Sequence, residues 1–149
     1  MGDKYGINLA LVPVDNEYLK QTPVPDDGSQ VVFGCPSAPG IRIEVLSVSW
    51  SAVTLPTDGT NPITVNIVFH DASADSDTTL LTGAAGAAGD LLSAAGISVA
   101  NEFVTIWNGL QTMDPGDTIR FDLTVTTPDV AGEGGAFLVA YRIKEWNGQ

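Results

Sequence analysis

The sequence predicts an all-β protein, an antiparallel β-sandwich or jelly-roll-like fold, and three observations predict it. The first is a clean alternation behind the turn Asp114-Pro115-Gly116-Asp117. Ile119, Phe121, Leu123 and Val125 point one way, and Thr118, Arg120, Asp122, Thr124 and Thr126 the other. Successive strand side chains leave on opposite faces, so this segment has one buried and one wetted face. The second is that several short runs of this kind recur along the chain, with turn formers between them. The third is the lack of strand–helix alternation, which a parallel sheet would need.

Taken in order, residues 1–40 read as an extended Pro-rich arm or lead-in. Ile7, Leu9, Leu11 and Val12 suggest a short extended segment, but Pro13, Pro23, Pro25, Pro36 and Pro39 interrupt the region. Proline lacks the amide that a central strand needs. One strand fits inside the arm, Gln30-Val31-Val32-Phe33, after a turn at Pro25-Asp26-Asp27-Gly28. The sandwich domain is expected over residues 41–149, the whole forming a single globular domain. Ile41, Ile43 and Val45 alternate with Arg42 and Glu44, and then the phase flips to Val48, Trp50 and Ala52. A one-residue slip of this kind predicts a β-bulge near Leu46-Ser47. Cover on both faces, by the core and by a second subunit, is the alternative. A turn-rich loop over 55–62 leads to Ile63, Val65, Ile67 and Phe69, which alternate with Thr64, Asn66, Val68 and His70.

After the polar turn Asp71–Asp77 a short strand is expected from Thr78 to Thr82. The Ala/Gly-rich stretch 83–89 reads as a surface loop or a close backbone approach. Asp90–Gly96, with an N-cap candidate and a closing glycine, reads as the one short helical turn. Strand character resumes from Ile97 to Trp107. The last strand carries Phe137, Val139, Tyr141 and Ile143 inward, with Arg142 and Lys144 on its outer face.

Composition bounds the function. At 149 residues the chain fits one domain and can bury a core without staples. Its 44% hydrophobic content argues against wholesale disorder. Six Lys plus Arg against 18 Asp plus Glu give a formal charge of −12, which opposes nucleic acid and anionic membranes. The acidity serves solubility or a basic partner. Cys35 is the only cysteine, so no intrachain disulfide forms, and it reads as a half-buried small hydrophobe. No basic region leads into an apolar stretch at the N-terminus, and Gly6 stands where a myristoylation motif wants Ser or Thr. Synthesis in a cytosol is the expectation.

The chain is sparse in catalytic groups, and no catalytic or cofactor-binding residue is assigned. His70 is the only histidine, at a strand end, and no nucleophile elbow, phosphate loop or dinucleotide fingerprint occurs. Calcium is the one metal to weigh, with Asp71, Asp75 and Asp77 as candidate oxygen ligands, although the loop lacks the glycine and glutamate of an EF-hand. Asp114 and Asp117 are read as turn and strand-entry chemistry. Trp50, Trp107 and Trp146 are candidate contacts, as core, protein interface or sugar platform.

Three passages, Ile41–Trp50, Ile67–Asp75 and Leu110–Asp117, carry a pattern-level resemblance over about residues 35–143. In these passages the chain resembles the capsid decoration proteins of tailed-phage virions. The resemblance implies a non-enzymatic structural protein of the virion, made in the host cytoplasm. It would bind the outer surface of the major capsid protein shell, stabilise it, and act as a homo-oligomer, a trimer in the first instance. Leu9, Leu11 and Val12 in the arm, together with Val48, Trp50, Trp107 and Trp146, would be the contact residues. The alternative is a carbohydrate- or receptor-binding sandwich of a tail, fibre or lectin-like kind.

Overall fold

The computed structural model describes residues 6–14, 29–38, 40–54, 64–81, 102–124, 130 and 132–145. Among these, all regular structure is β: β1 (Asn8–Pro13), β2 (Ser29–Gly34), β3 (Arg42–Ser51), β4 (Thr64–Asp71), β5 (Ser76–Leu81), β6 (Val104–Met113), β7 (Thr118–Thr124) and β8 (Ala136–Glu145). They form two four-stranded sheets, ordered β1-β8-β3-β6 and β2-β7-β4-β5, with every pairing antiparallel.

The order has a simple origin. Pairing β4 with β5, β3 with β6, β2 with β7 and β1 with β8 is one long hairpin folded about the 72–75 turn. The additional pairs β3–β8 and β4–β7 roll that hairpin into two sheets. This is the jelly-roll arrangement of two Greek keys. The β2–β3, β4–β5 and β6–β7 connections therefore gather at one end of the sandwich.

The inner faces meet through large side chains. Phe121 of β7 stacks on Phe137 of β8 at 4.3 Å and 11°, and Trp50 of β3 packs on the same Phe137 ring at 5.0 Å. Val45, Val65, Ile67, Met113, Ile119 and Val139 complete the dry centre. Complete burial of such side chains stabilises by about 1.5–3 kcal/mol each. The phase flip in β3 is a bulge as expected: register against both β6 and β8 shifts between Val45 and Ser47. The extra residue lets Val45, Val48 and Trp50 all face the core, while Ser49 reaches Thr105 on the outer surface.

The short-loop end is closed by polar chemistry. Asp114–Asp117 is a type II turn, with the Asp117 amide donating to the Asp114 carbonyl at 3.0 Å and Gly116 at φ 93°. The buried Asp117 carboxylate then accepts from the Ala72 amide (2.9 Å) and the Asp114 amide (2.8 Å), tying two turns together. Losing that carboxylate would strand two amides. In the 72–75 turn Asp75 adopts φ 50°, a left-handed conformation that Asp tolerates better than most residues.

Within residues 1–40, the strand expected at Gln30–Phe33 is β2, and the short extended segment around Leu9, Leu11 and Val12 is β1, each a strand of one sheet. Residues 15–28 lie outside the described residues. Of the strand expected from Ile97 to Trp107, residues 97–101 lie outside the described residues; the rest falls in β6, which starts at Val104 and runs past Trp107 to Met113. Two register shifts against β3 break its alternation, so Ile106 and Met113 both face inward although an odd number of positions apart. The short helical turn at 90–96, the stretch 83–89 and the loop 55–62 lie outside the described residues.

Candidate functional site

The strand positions set what each candidate residue can do. β1 is an edge strand paired only with β8, and its side chains alternate strictly. Val12 and Ala10 turn inward and pack against the core. Leu9 (65% exposed), Leu11 (60%) and the preceding Ile7 (65%) turn outward. Leu9 lies beside Ala140 and Leu11 beside Leu138 on β8, so the row widens into an apolar stripe. Single exposed leucines are ordinary, but a contiguous row on one edge makes this a candidate interaction surface.

The same outer face carries a charge cluster further along β8. Glu44 of β3 lies opposite Arg142 in the ladder and is only 2% exposed. Its carboxylate accepts from Arg142 Nε at 2.6 Å and from Lys144 Nζ at 3.3 Å. The Arg142 hydrogen bond holds the Glu44 carboxyl below its ordinary pKa, against the opposing effect of burial. One strand step away, Arg42 pairs with Asp114 at 2.7 Å. Three of the chain's six basic residues thus collect on one patch of a −12 molecule, all about half exposed. The Glu44 triad escaped the sequence reading. The alternations Arg42/Glu44 and Arg142/Lys144 signalled an outer face, but not that a carboxylate would be buried there.

The opposite outer face holds a second network. Asp77 bridges His70 Nδ1 and Arg120 Nη2, both at 2.9 Å, and Arg120 Nε reaches Asp122 at 3.3 Å. The Arg120 and His70 contacts lower the Asp77 pKa. This arrangement corrects the calcium candidate. Asp71 is occupied with its own turn, accepting from the Ser73 hydroxyl and the Ser73 and Ala74 amides. Both Asp77 oxygens are engaged, and Asp75 is 95% exposed at 3.9 Å from His70. The three carboxylates do not converge, and among the described residues no group of three metal-ligating side chains does.

The aromatic candidates separate. Val48 and Trp50 are fully buried in the core of a single chain, so neither is a subunit contact. The bulge at Leu46 turns both inward, which removes the need for a second covering subunit. The Trp50 Nε1 proton has no partner among the described residues, a cost offset by the ring's burial. Trp107 is half-buried with its ring over Gly109, where an added Cβ would come within 2.8 Å of it. Trp146 lies outside the described residues.

Cys35 is buried, its thiol directed to the Ile41 carbonyl at 3.7 Å. Burial first, then Asp117 and Asp114, push its pKa up, which suppresses the reactive thiolate. Beside it a cavity of about 310 Å³ opens between the sheets, walled by Phe33, Ile41, Ile43, Tyr141 and Ile143.

No protein-family model matches the chain, and comparison with curated proteins finds no match.

Proposed function

We propose that this chain is a non-enzymatic structural protein of a virion, a decoration subunit that binds the outer surface of a capsid shell and stabilises it. The observation that carries this reading is the apolar row Ile7, Leu9 and Leu11 on an edge strand of a jelly roll, beside half-exposed cations. Such a surface suits contact with another protein: apolar area supplies affinity, and the fixed Arg142 and Lys144 supply orientation. Many copies on one shell would raise avidity without tight individual contacts, and binding only to the assembled state would stabilise it by mass action.

The carbohydrate- or receptor-binding alternative needs an open aromatic platform. It has less support, since Trp50 is in the core and the Trp107 ring rests on Gly109. The deciding experiment mixes the purified protein with expanded and unexpanded phage shells and measures co-sedimentation. Binding to the expanded cognate shell is the expected result, and none to either form overturns the reading.

A further inference from the structure

We propose that β1 is a self-pairing edge. Two copies of this chain join by antiparallel β1–β1 addition about a twofold axis, making one continuous sheet across the pair.

The first observation concerns register. Of the four edge strands among the described residues, β1 alone joins its neighbour without interruption, through six consecutive pairs from Asn8–Tyr141 to Pro13–Ala136. The ladders of the other three edges, β2–β7, β4–β5 and β3–β6, each contain a register shift. Bulges twist an edge away from further pairing and are a common protection against it. Among the described residues β1 carries no such bulge, and its proline, Pro13, stands at its last position.

The second observation is charge. A chain at −12 repels its own copy over most of its surface. Residues 6–14 are uncharged, whereas the β5 edge carries Asp77 and follows Asp75. The charged side chains of the neighbouring strand β8 on the outer face are the cations Arg142 and Lys144. β1 shares this lack of charge with the β2 and β6 edges, so charge permits the approach of two copies at β1 and disfavours the β5 edge.

The third observation is side-chain complementarity. A register centred on Leu9 sets Leu9 opposite Leu9, and Ile7 opposite Leu11 of the other copy. Each of the three outward residues then gains an apolar cross-strand neighbour about 5 Å away on the same face. Pro13, which has no amide to give, falls beyond those pairs. A one-residue slip would set outward residues against inward ones and is disfavoured.

The pairing does not rest on the shell reading, and it is twofold where the resemblance implies a trimer. Sedimentation equilibrium of the full chain without shells should show a concentration-dependent rise from 15.5 kDa to twice that mass. Leu9→Lys sets like charges face to face at the axis and should weaken the pair by about tenfold or more. Because Leu9 is 65% exposed, the variant's far-UV circular dichroism should match the parent, as should its melt at dilutions where both are monomers. If the lysine variant melts early, Leu9→Thr carries the same test with a good strand former. Leu110→Lys, at a leucine 59% exposed on β6, should leave the pair intact. A chain that stays monomeric across the series, a trimer, or a pair that survives the Leu9 variants but is lost with Leu110→Lys would overturn the proposal.

Discussion

The two outer faces of the sandwich use the same residue types in opposite ratios. On the β3–β8 face one carboxylate, Glu44, serves two cations, Arg142 and Lys144. On the β4–β5–β7 face one cation, Arg120, serves two carboxylates, Asp77 and Asp122. The contact distances are similar, from 2.6 to 3.3 Å on each side taken together. The environments are not. The Glu44 side chain is 3% exposed and that of Asp77 is 45% exposed. Water competes for Asp77 at every contact and screens its field, whereas the buried Glu44 carboxylate is held, among the described residues, by two cations. Burial therefore decides which network holds the fold and which merely decorates it.

The largest expected effect comes from breaking the buried side of that contrast. Glu44→Gln keeps the shape and removes the charge, leaving Arg142 and Lys144 facing a neutral amide. A buried ion pair broken on one side commonly costs several kcal/mol. Here the cations are about half exposed and can recover water, so the expected loss is about 1–3 kcal/mol, seen as a lower urea midpoint. An unchanged midpoint would mean that Glu44 behaves as a surface group, and the contrast between the faces would collapse.

Acid sharpens the same point with no substitution on the parent chain. The Glu44 pKa is lowered in the folded state, chiefly by its Arg142 hydrogen bond. The unfolded chain therefore takes up the proton first as pH falls. The contribution is complete above the unfolded carboxyl value, about 4.3, and is lost as pH drops through the lower folded value. Protonated Glu44 resembles glutamine, so the stability gap between parent and Glu44→Gln should be full near pH 7 and close progressively below about pH 4.3. Asp71 and Asp77 also have lowered values and add to the acid slope of both proteins alike. Urea titrations of the two proteins over a pH series give the answer, and a gap that stays constant into acid would remove the charge from the explanation.

What was legible in the sequence, and what was not, follows the range of the interaction. Alternation places Ile119 and Phe121 inside and Arg120 outside, because neighbours along a strand fix side-chain phase. The phase flip of β3 announced its bulge, and Pro115-Gly116 announced a tight turn, for equally local reasons. The burial of Glu44 depends on partners 98 and 100 residues away, which no local pattern encodes. The same limit explains why β6 could not be followed past Trp107 to Met113, since its phase there is broken by register shifts against β3. It also explains why three nearby aspartates suggested a metal site: spacing brought them together in sequence, but each is turned to a different partner.

The smallest expected effect lies on the exposed face. Asp77→Asn removes the charge that faces Arg120 and His70, yet the amide oxygen can still accept from the Arg120 guanidinium and Asp122 still contacts that arginine. Arg120 therefore retains a charged partner, and water replaces what Asp77 gave. The urea midpoint should move by only a small fraction of the Glu44→Gln shift, and molar salt, which screens exposed pairs within a few ångströms, should erase most of that fraction. The Glu44→Gln shift should persist in the same salt, because the buried carboxylate is poorly reached by ions. Equal shifts for the two variants, or equal sensitivity to salt, would show that contact geometry and not burial sets the worth of each network.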